Sequence, residues 1–167
     1  MDNLTIRLET EKDYRAVEEL TREAFWNVYK PGADEHYYVN QMRNHPDFIP
    51  ELAFVLEKDG NIIGNIMYTK AWLEDENGER KEILSFGPLC IAPEYQRHKL
   101  GKLLIEHSFD VAHDLSVLLQ HKGKLGNEIG VISHHVNEVV LVRTGLVDVP
   151  KRLTGQFFYC SVVFFGF

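Results

Sequence analysis

The residues best suited to do chemistry lie in one run, Pro93-Glu94-Tyr95-Gln96-Arg97-His98-Lys99-Leu100-Gly101-Lys102-Leu103-Leu104. It follows an apolar, strand-like stretch and opens an amphipathic helix. A strand, a tight basic loop and a helix start therefore come together. Backbone N–H groups at a helix N-terminus have no intrahelical partner, and the helix dipole adds partial positive charge there. Such a loop can hold an anion such as a pyrophosphate, and which one is left open by these residues alone.

The other reactive side chains give weaker signals. Cys90 stands just before the loop, but no His or Asp is placed beside it by sequence, so a buried apolar cysteine is favoured over a nucleophile. His121, His134 and His135 suggest a metal only on composition. Neighbouring histidines on a strand point to opposite faces, so a solvated or hydrogen-bonded role is favoured and no metal site is expected. Lys122-Gly123-Lys124 reads as a surface turn in preference to a second anion site.

The elements that position the loop follow from periodicity. Leu4 to Leu8 alternates as a strand. Thr10-Glu11-Lys12-Asp13 resembles a helix cap, and Tyr14, Val17, Leu20 and Phe25 recur at helical spacing, which predicts a helix over 11–25. A more polar helix is expected over Asp34–Arg43, closed by Pro46 and Pro50. Leu52 to Leu56 reads as a strand. Asp59-Gly60 and Asn77-Gly78 each separate apolar runs and predict two hairpins, from Ile62 to Leu73 and from Ile83 to Ile91. Leu100, Leu103, Leu104, Val111 and Leu115 mark a helix over 100–115, with Ser116 to Gln120 able to continue it. Val131-Ile132, Val139 to Val142 and Phe157 to Phe165 are strand-like.

Bulk properties narrow the class. A chain of 167 residues, 44% apolar and 26% charged, has the length and composition of one soluble domain with a real core. No apolar run is long enough to cross a bilayer, so no membrane partner is expected. No secretory signal is visible, and Cys90 and Cys160 carry no metal-ligand spacing, so a reduced, cytoplasmic setting is expected. The net charge of -7 argues against nucleic acid as a partner. Its distribution is uneven: the first 115 residues carry 22 acids against 13 bases, whereas the remainder carries 3 against 5. The change falls where the sequence pattern also changes.

Strand, two helices, three antiparallel strands, anion loop and helix together resemble the GNAT superfamily, the Gcn5-related N-acetyltransferases. The family motif Gln/Arg-x-x-Gly-x-Gly/Ala is matched by Gln96 to Gly101, and Leu89-Cys90-Ile91-Ala92-Pro93 is similar to its preceding strand end. The resemblance covers about residues 4–115. It implies an α/β (α+β) acyl-CoA N-acyltransferase fold with a mixed, mostly antiparallel sheet. It also implies acetyl-CoA as co-substrate, bound at the motif residue Gln96 and with its pyrophosphate on the backbone of Arg97, His98, Lys99, Leu100, Gly101 and Lys102. Leu89, Cys90 and Ile91 would pair with the pantetheine arm. The family's first motif glycine is Lys99 here, which implies weaker coenzyme binding than a two-glycine loop gives. The catalytic base is unassigned: the position of the family's glutamate is Ser85, and Glu82 falls on the opposite face. Phe25 to Tyr29 and His36 to Tyr38 read as an acceptor wall or as core, and the sequence leaves both open.

The resemblance breaks after Leu115. Residues 116–156 form an atypical segment, and Phe157–Phe167 resembles the family's fifth strand, so the C-terminal part is expected to be altered or truncated within a single domain over 1–167. Two functions remain in view. One is acetyl transfer to an amine of a small molecule or peptide. The other is a catalytically inactive coenzyme A-binding or interaction module, with a homodimer formed through the apolar C-terminal strand.

Overall fold

Thr10 to Asp13 turns the chain from its first strand, β1 (Leu4–Leu8), into its first helix, α1 (Tyr14–Phe25), in the computed structural model, which describes residues 3–74, 77–78, 80–121 and 130–133. Residues 11–13 form a 3-10 turn, so the expected helix starts as a tighter turn and becomes α-helical at Tyr14. The Asp13 carboxylate organises this corner. It accepts the Thr10 N–H at 2.9 Å and the Thr10 hydroxyl at 2.7 Å, and it takes both ends of the Arg7 guanidinium at 2.7 and 2.9 Å. Arg7 also reaches Glu57 at 2.9 Å.

Helix α2 (Glu35–Met42) follows, and Arg43 at its end fastens it to the first corner. Arg43 contacts Glu9 at 2.7 Å and Glu18 at 2.5 Å, with its guanidinium 3.9 Å from the centre of the Tyr14 ring. A cation buried to this degree needs such partners, because its desolvation is otherwise uncompensated.

The sheet continues with β2 (Phe54–Lys58), β3 (Asn61–Glu74) and β4 (Arg80–Ile91). Pro50 starts a 3-10 turn over Pro50–Leu52, so β2 begins two residues later than the apolar pattern suggests. Asp59 and Gly60 take φ of 50° and 84°, both left-handed, as a two-residue hairpin loop requires. The first four strands are antiparallel neighbours in chain order, and β5 (Gly130–Ser133) adds parallel to β4.

Alternation along the strands sends side chains to two layers. Val55 and Met67 pack with Val17 of α1 and Val39 of α2. Phe54 and Tyr68, one residue away, face the helix after β4, which is α3 (Leu100–His121). The Phe54 ring meets His107 edge-on at 5.0 Å, and the Tyr68 hydroxyl hydrogen-bonds Ser108 Oγ at 2.8 Å. α1 and α2 thus cover one face of the sheet and α3 the other.

Two expectations shift at the C-terminal end. α3 runs on through His121, and the strand beside β4 is Gly130–Ser133, inside the segment expected to be atypical. A helical crossover followed by a short connection is enough to return a parallel strand. Lys122-Gly123-Lys124, His134-His135, Val139–Val142, Cys160 and the run Phe157–Phe167 expected as the fifth strand lie outside the described residues.

The Arg7 fork, followed by the Thr10 donors, holds the Asp13 carboxyl well below the usual carboxylate range. A carboxyl lowered in the folded state stabilises the fold above its unfolded pKa, about 3.9, and that stability is lost as pH falls below it. The denaturation midpoint of the wild type should therefore drop more steeply between about pH 5 and pH 2 than that of Asp13→Asn. Equal acid slopes in urea titrations of the two proteins would contradict the assignment.

Candidate functional site

β4 delivers the chain to the candidate anion loop, and its pairing changes on the way. Phe86 stands opposite Tyr68 and Leu89 opposite Ile66, so Gly87 and Pro88 together face Met67 alone. This is a β-bulge, which bends a strand and re-aims the residues beyond it. Gly87 has φ of 150°, a conformation side chains disfavour. β5, over Gly130–Ser133, pairs with Ile83 to Phe86. Beyond the bulge, among the described residues, Leu89, Cys90 and Ile91 have a strand neighbour only on the β3 side.

Alternation then decides which main-chain groups face the open edge. The Ala92 N–H donates to the Ile63 carbonyl at 2.8 Å, towards β3. In an antiparallel pair the groups of successive residues alternate in direction, so those of Ile91 and Leu89 point away from β3 and those of Cys90 point towards it. The Ile91 carbonyl is consistent with this, because it accepts a hydrogen bond from Gln96 Nε2 at 3.0 Å.

The Cys90 side chain is closed off from solvent. Its Sγ donates to Asn65 Oδ1 at 2.6 Å and lies 3.7 Å from Thr21 Oγ1. Burial pushes its thiol up to about 12, so it is neutral at physiological pH. The geometry supports the buried cysteine and not the nucleophile. Asn65 Nδ2 is buried and without a partner among the described residues.

Past Ile91 the chain makes a 3-10 turn over Pro93–Tyr95 and enters the loop. Arg97 has φ of 64° and Lys99 has φ of 61°, while His98 between them is not left-handed. Alternation of hand along consecutive residues turns their N–H groups towards one concavity, an anion-binding nest. A left-handed residue with a side chain costs about 1–2 kcal/mol, so both positions are held against a preference. The first main-chain bond of α3 runs from the Leu103 N–H to the Lys99 carbonyl at 3.1 Å. The N–H groups of Leu100, Gly101 and Lys102 precede it and add to the concavity. Arg97, His98 and Lys99 are exposed, and Lys102 sits 3.6 Å from Glu106. A Cβ at Gly101 would meet only Ile91 Cγ1 at 3.7 Å, so the fold does not itself demand glycine there.

The α1–α2 connection lies at the same end of the sheet. Thr21 touches Cys90, and one helical turn later α1 ends at Phe25, which is core and leaves the acceptor-wall reading to its neighbours. The Asn27 N–H donates to the Gly32 carbonyl at 2.9 Å and the Gly32 N–H returns to Asn27 Oδ1 at 2.8 Å, closing a compact loop. It displays Trp26 (56% exposed) and Tyr29 (50%), and α2 adds Tyr37 (61%).

Ser85, at the position where the family carries glutamate, is buried and pairs through its main chain with Thr69 and Ile132. Glu82 pairs with Trp72. Among the described residues no group of three or more His, Cys, Asp and Glu side chains converges as a metal site, and no helix is long and apolar enough to cross a membrane. Sequence reasoning missed Asn65, Thr21 and Ser108, whose roles depend on contacts across 25 to 69 positions of chain.

Bulged strand, nest and helix start, set between two helical layers, define an acyltransferase-type fold. The chain belongs to the acetyltransferase (GNAT) family, whose sequence profile matches residues 14–122. Solved structures agree on the fold. A GNAT acetyltransferase from Brucella melitensis in complex with acetyl-CoA is 23% identical with a TM-score of 0.56, over 78% of this chain and 75% of that one. The Escherichia coli GNAT N-acetyltransferase YhbS in complex with CoA is 19% identical with a TM-score of 0.61, over 80% of this chain and 63% of that one. A GNAT acetyltransferase from Staphylococcus aureus is 19% identical with a TM-score of 0.52, over 89% and 98%. No curated protein sequence matches the chain.

The state of Cys90 is open to a direct check. Iodoacetamide at about pH 8 should leave the Cys90 peptide unlabelled in the native protein and label it fully in denaturant. Native labelling at a rate near the denatured one would contradict the buried, neutral thiol.

Proposed function

We propose that the chain is an N-acetyltransferase that binds acetyl-CoA and passes its acetyl group to an amine. The observation that carries this reading is the nest at Arg97–Lys99, which opens into α3 directly beyond an edge of β4 that is unpaired among the described residues. The backbone N–H groups of Arg97 to Lys102 take the pyrophosphate, and the Arg97, Lys99 and Lys102 side chains add charge-assisted contacts. The pantetheine arm lies along β4 as an added strand, bonded to the outward groups of Ile91 and Leu89. Cys90 shapes that edge and lends it no main-chain group. Family membership and two structural relatives with acetyl-CoA or CoA bound support the choice of ligand.

Transfer follows from that placement. The Leu89 N–H, farthest from the pyrophosphate, polarises the thioester carbonyl and stabilises the oxyanion as the amine attacks its carbon. The amine loses a proton to water or a base, the C–S bond breaks, and the departing sulfur takes up a proton to leave as coenzyme A thiol. Trp26, Tyr29 and Tyr37 form the wall against which an amine acceptor, small molecule or peptide, is held. A second reading is favoured by one observation, the buried Ser85 in place of a carboxylate: the chain binds coenzyme A and does not turn it over.

Calorimetry with coenzyme A should show saturable binding to the wild type, with binding weakened at least about tenfold in Gly101→Trp and kept in Gly101→Ala. Circular dichroism of both variants checks the fold. Amine-dependent release of thiol from acetyl-CoA would establish transfer, and binding without release would establish the second reading. Absence of binding at millimolar coenzyme would overturn both.

A further inference from the structure

We infer that Gln96 and His98 are positioning residues that preform the anion loop, making up for the glycine it lacks at Lys99. The inference rests on the pyrophosphate reading of this loop. Two non-glycine residues, Arg97 and Lys99, hold left-handed backbone in an exposed segment. Without fixing contacts, such residues relax to right-handed or extended conformations and the nest opens. Each polar side chain between and before them is turned back on the main chain. Gln96 Nε2 donates to the Ile91 carbonyl at 3.0 Å, which ties the start of the loop to the end of β4. His98 Nδ1 lies 2.8 Å from the Gln96 carbonyl and 3.3 Å from the Tyr95 carbonyl.

Both partners of His98 Nδ1 are carbonyl oxygens, which only accept. His98 Nδ1 must therefore carry a proton, which fixes the tautomer of the neutral ring. The imidazole staples the residues before Arg97 and Lys99 into a single turn. Neither side chain is then a ligand of the anion. Gln96 and His98 raise the fraction of molecules whose loop is ready to bind, and apparent affinity scales with that fraction.

The test combines a cycle of variants with a spectroscopic measurement. Long-range 1H–15N NMR of the unliganded protein should place the neutral-ring proton of His98 on Nδ1. Calorimetry with coenzyme A should show His98→Ala weakened about tenfold and Lys99→Gly within about threefold of wild type, relief of the left-handed strain offsetting the lost lysine charge. The double variant His98→Ala/Lys99→Gly should return to within about threefold of Lys99→Gly, because glycine holds the left-handed position without a staple. A double variant that loses as much as His98→Ala alone would make His98 a direct ligand and overturn the inference. An unaffected His98→Ala, or a proton on Nε2, would also overturn it. Failure of the wild type to bind coenzyme A would sink the pyrophosphate reading, and the tautomer would still decide the staple.

Discussion

Among the described residues, β4 is held to β3 along its length but to β5 only as far as Phe86, and the candidate site depends on that asymmetry. The extra residue at Gly87-Pro88 bends the strand just beyond the described pairing with β5. Were β4 paired on both sides to Ile91, no main-chain donor would be free for a ligand. Were it unpaired on both, nothing would fix the approach to the loop. Holding one edge and freeing the other gives a rigid half-ladder, with Leu89 and Ile91 facing out and Cys90 facing in. Its rigidity comes from neighbours on both layers. Gly64, opposite Ile91 in β3, has no room for a side chain: a Cβ there would come within 2.6 Å of Ile91 Cδ1 and 3.2 Å of the Cys90 carbonyl. Thr21 and Asn65 close the other face around the Cys90 thiol.

The loop beyond shows how a strained local conformation survives. Lys99 occupies a position where the family carries glycine, and the backbone keeps the left-handed turn that glycine allows. The preference against it is met by local bonds that lead back to β4 and by the start of α3. α3 is itself fixed below by a buried chain in which the Tyr68 hydroxyl donates to Ser108 Oγ and Ser108 donates to the Ile105 carbonyl. Basic side chains at the rim of the loop contrast with a chain that is otherwise acidic over its first 115 residues, so the loop is a local positive site on a negative surface.

Much of this arrangement is legible in the sequence because its causes are local. Asp59-Gly60 names its own turn, Thr10 to Asp13 its own corner, and the spacing from Tyr14 to Phe25 its own helix. The strand, loop and helix order around the candidate site is legible for the same reason, because the three are contiguous. What is not legible depends on distant contacts or on competing local signals. Leu52 looks like strand until Pro50 draws it into a 3-10 turn. The Gln96 amide lies on the Ile91 carbonyl, a contact the motif alone does not specify. Several β-branched runs in the last third suit the place beside β4 equally well, and only pairing selects Gly130–Ser133. Phe25 and Trp26 are adjacent aromatic residues, yet one is core and the other surface, a difference set by the end of α1.

The central claim is that one edge of β4 and the loop after it form a continuous main-chain site for coenzyme A. Backbone amide NMR during titration with coenzyme A tests it most directly. The account predicts saturable shifts at Arg97 to Lys102 and at Leu89 and Ile91, with Cys90 between them moving less than either neighbour. Shifts confined to other parts of the sheet, or a Cys90 amide that moves more than those of Leu89 and Ile91, would contradict it.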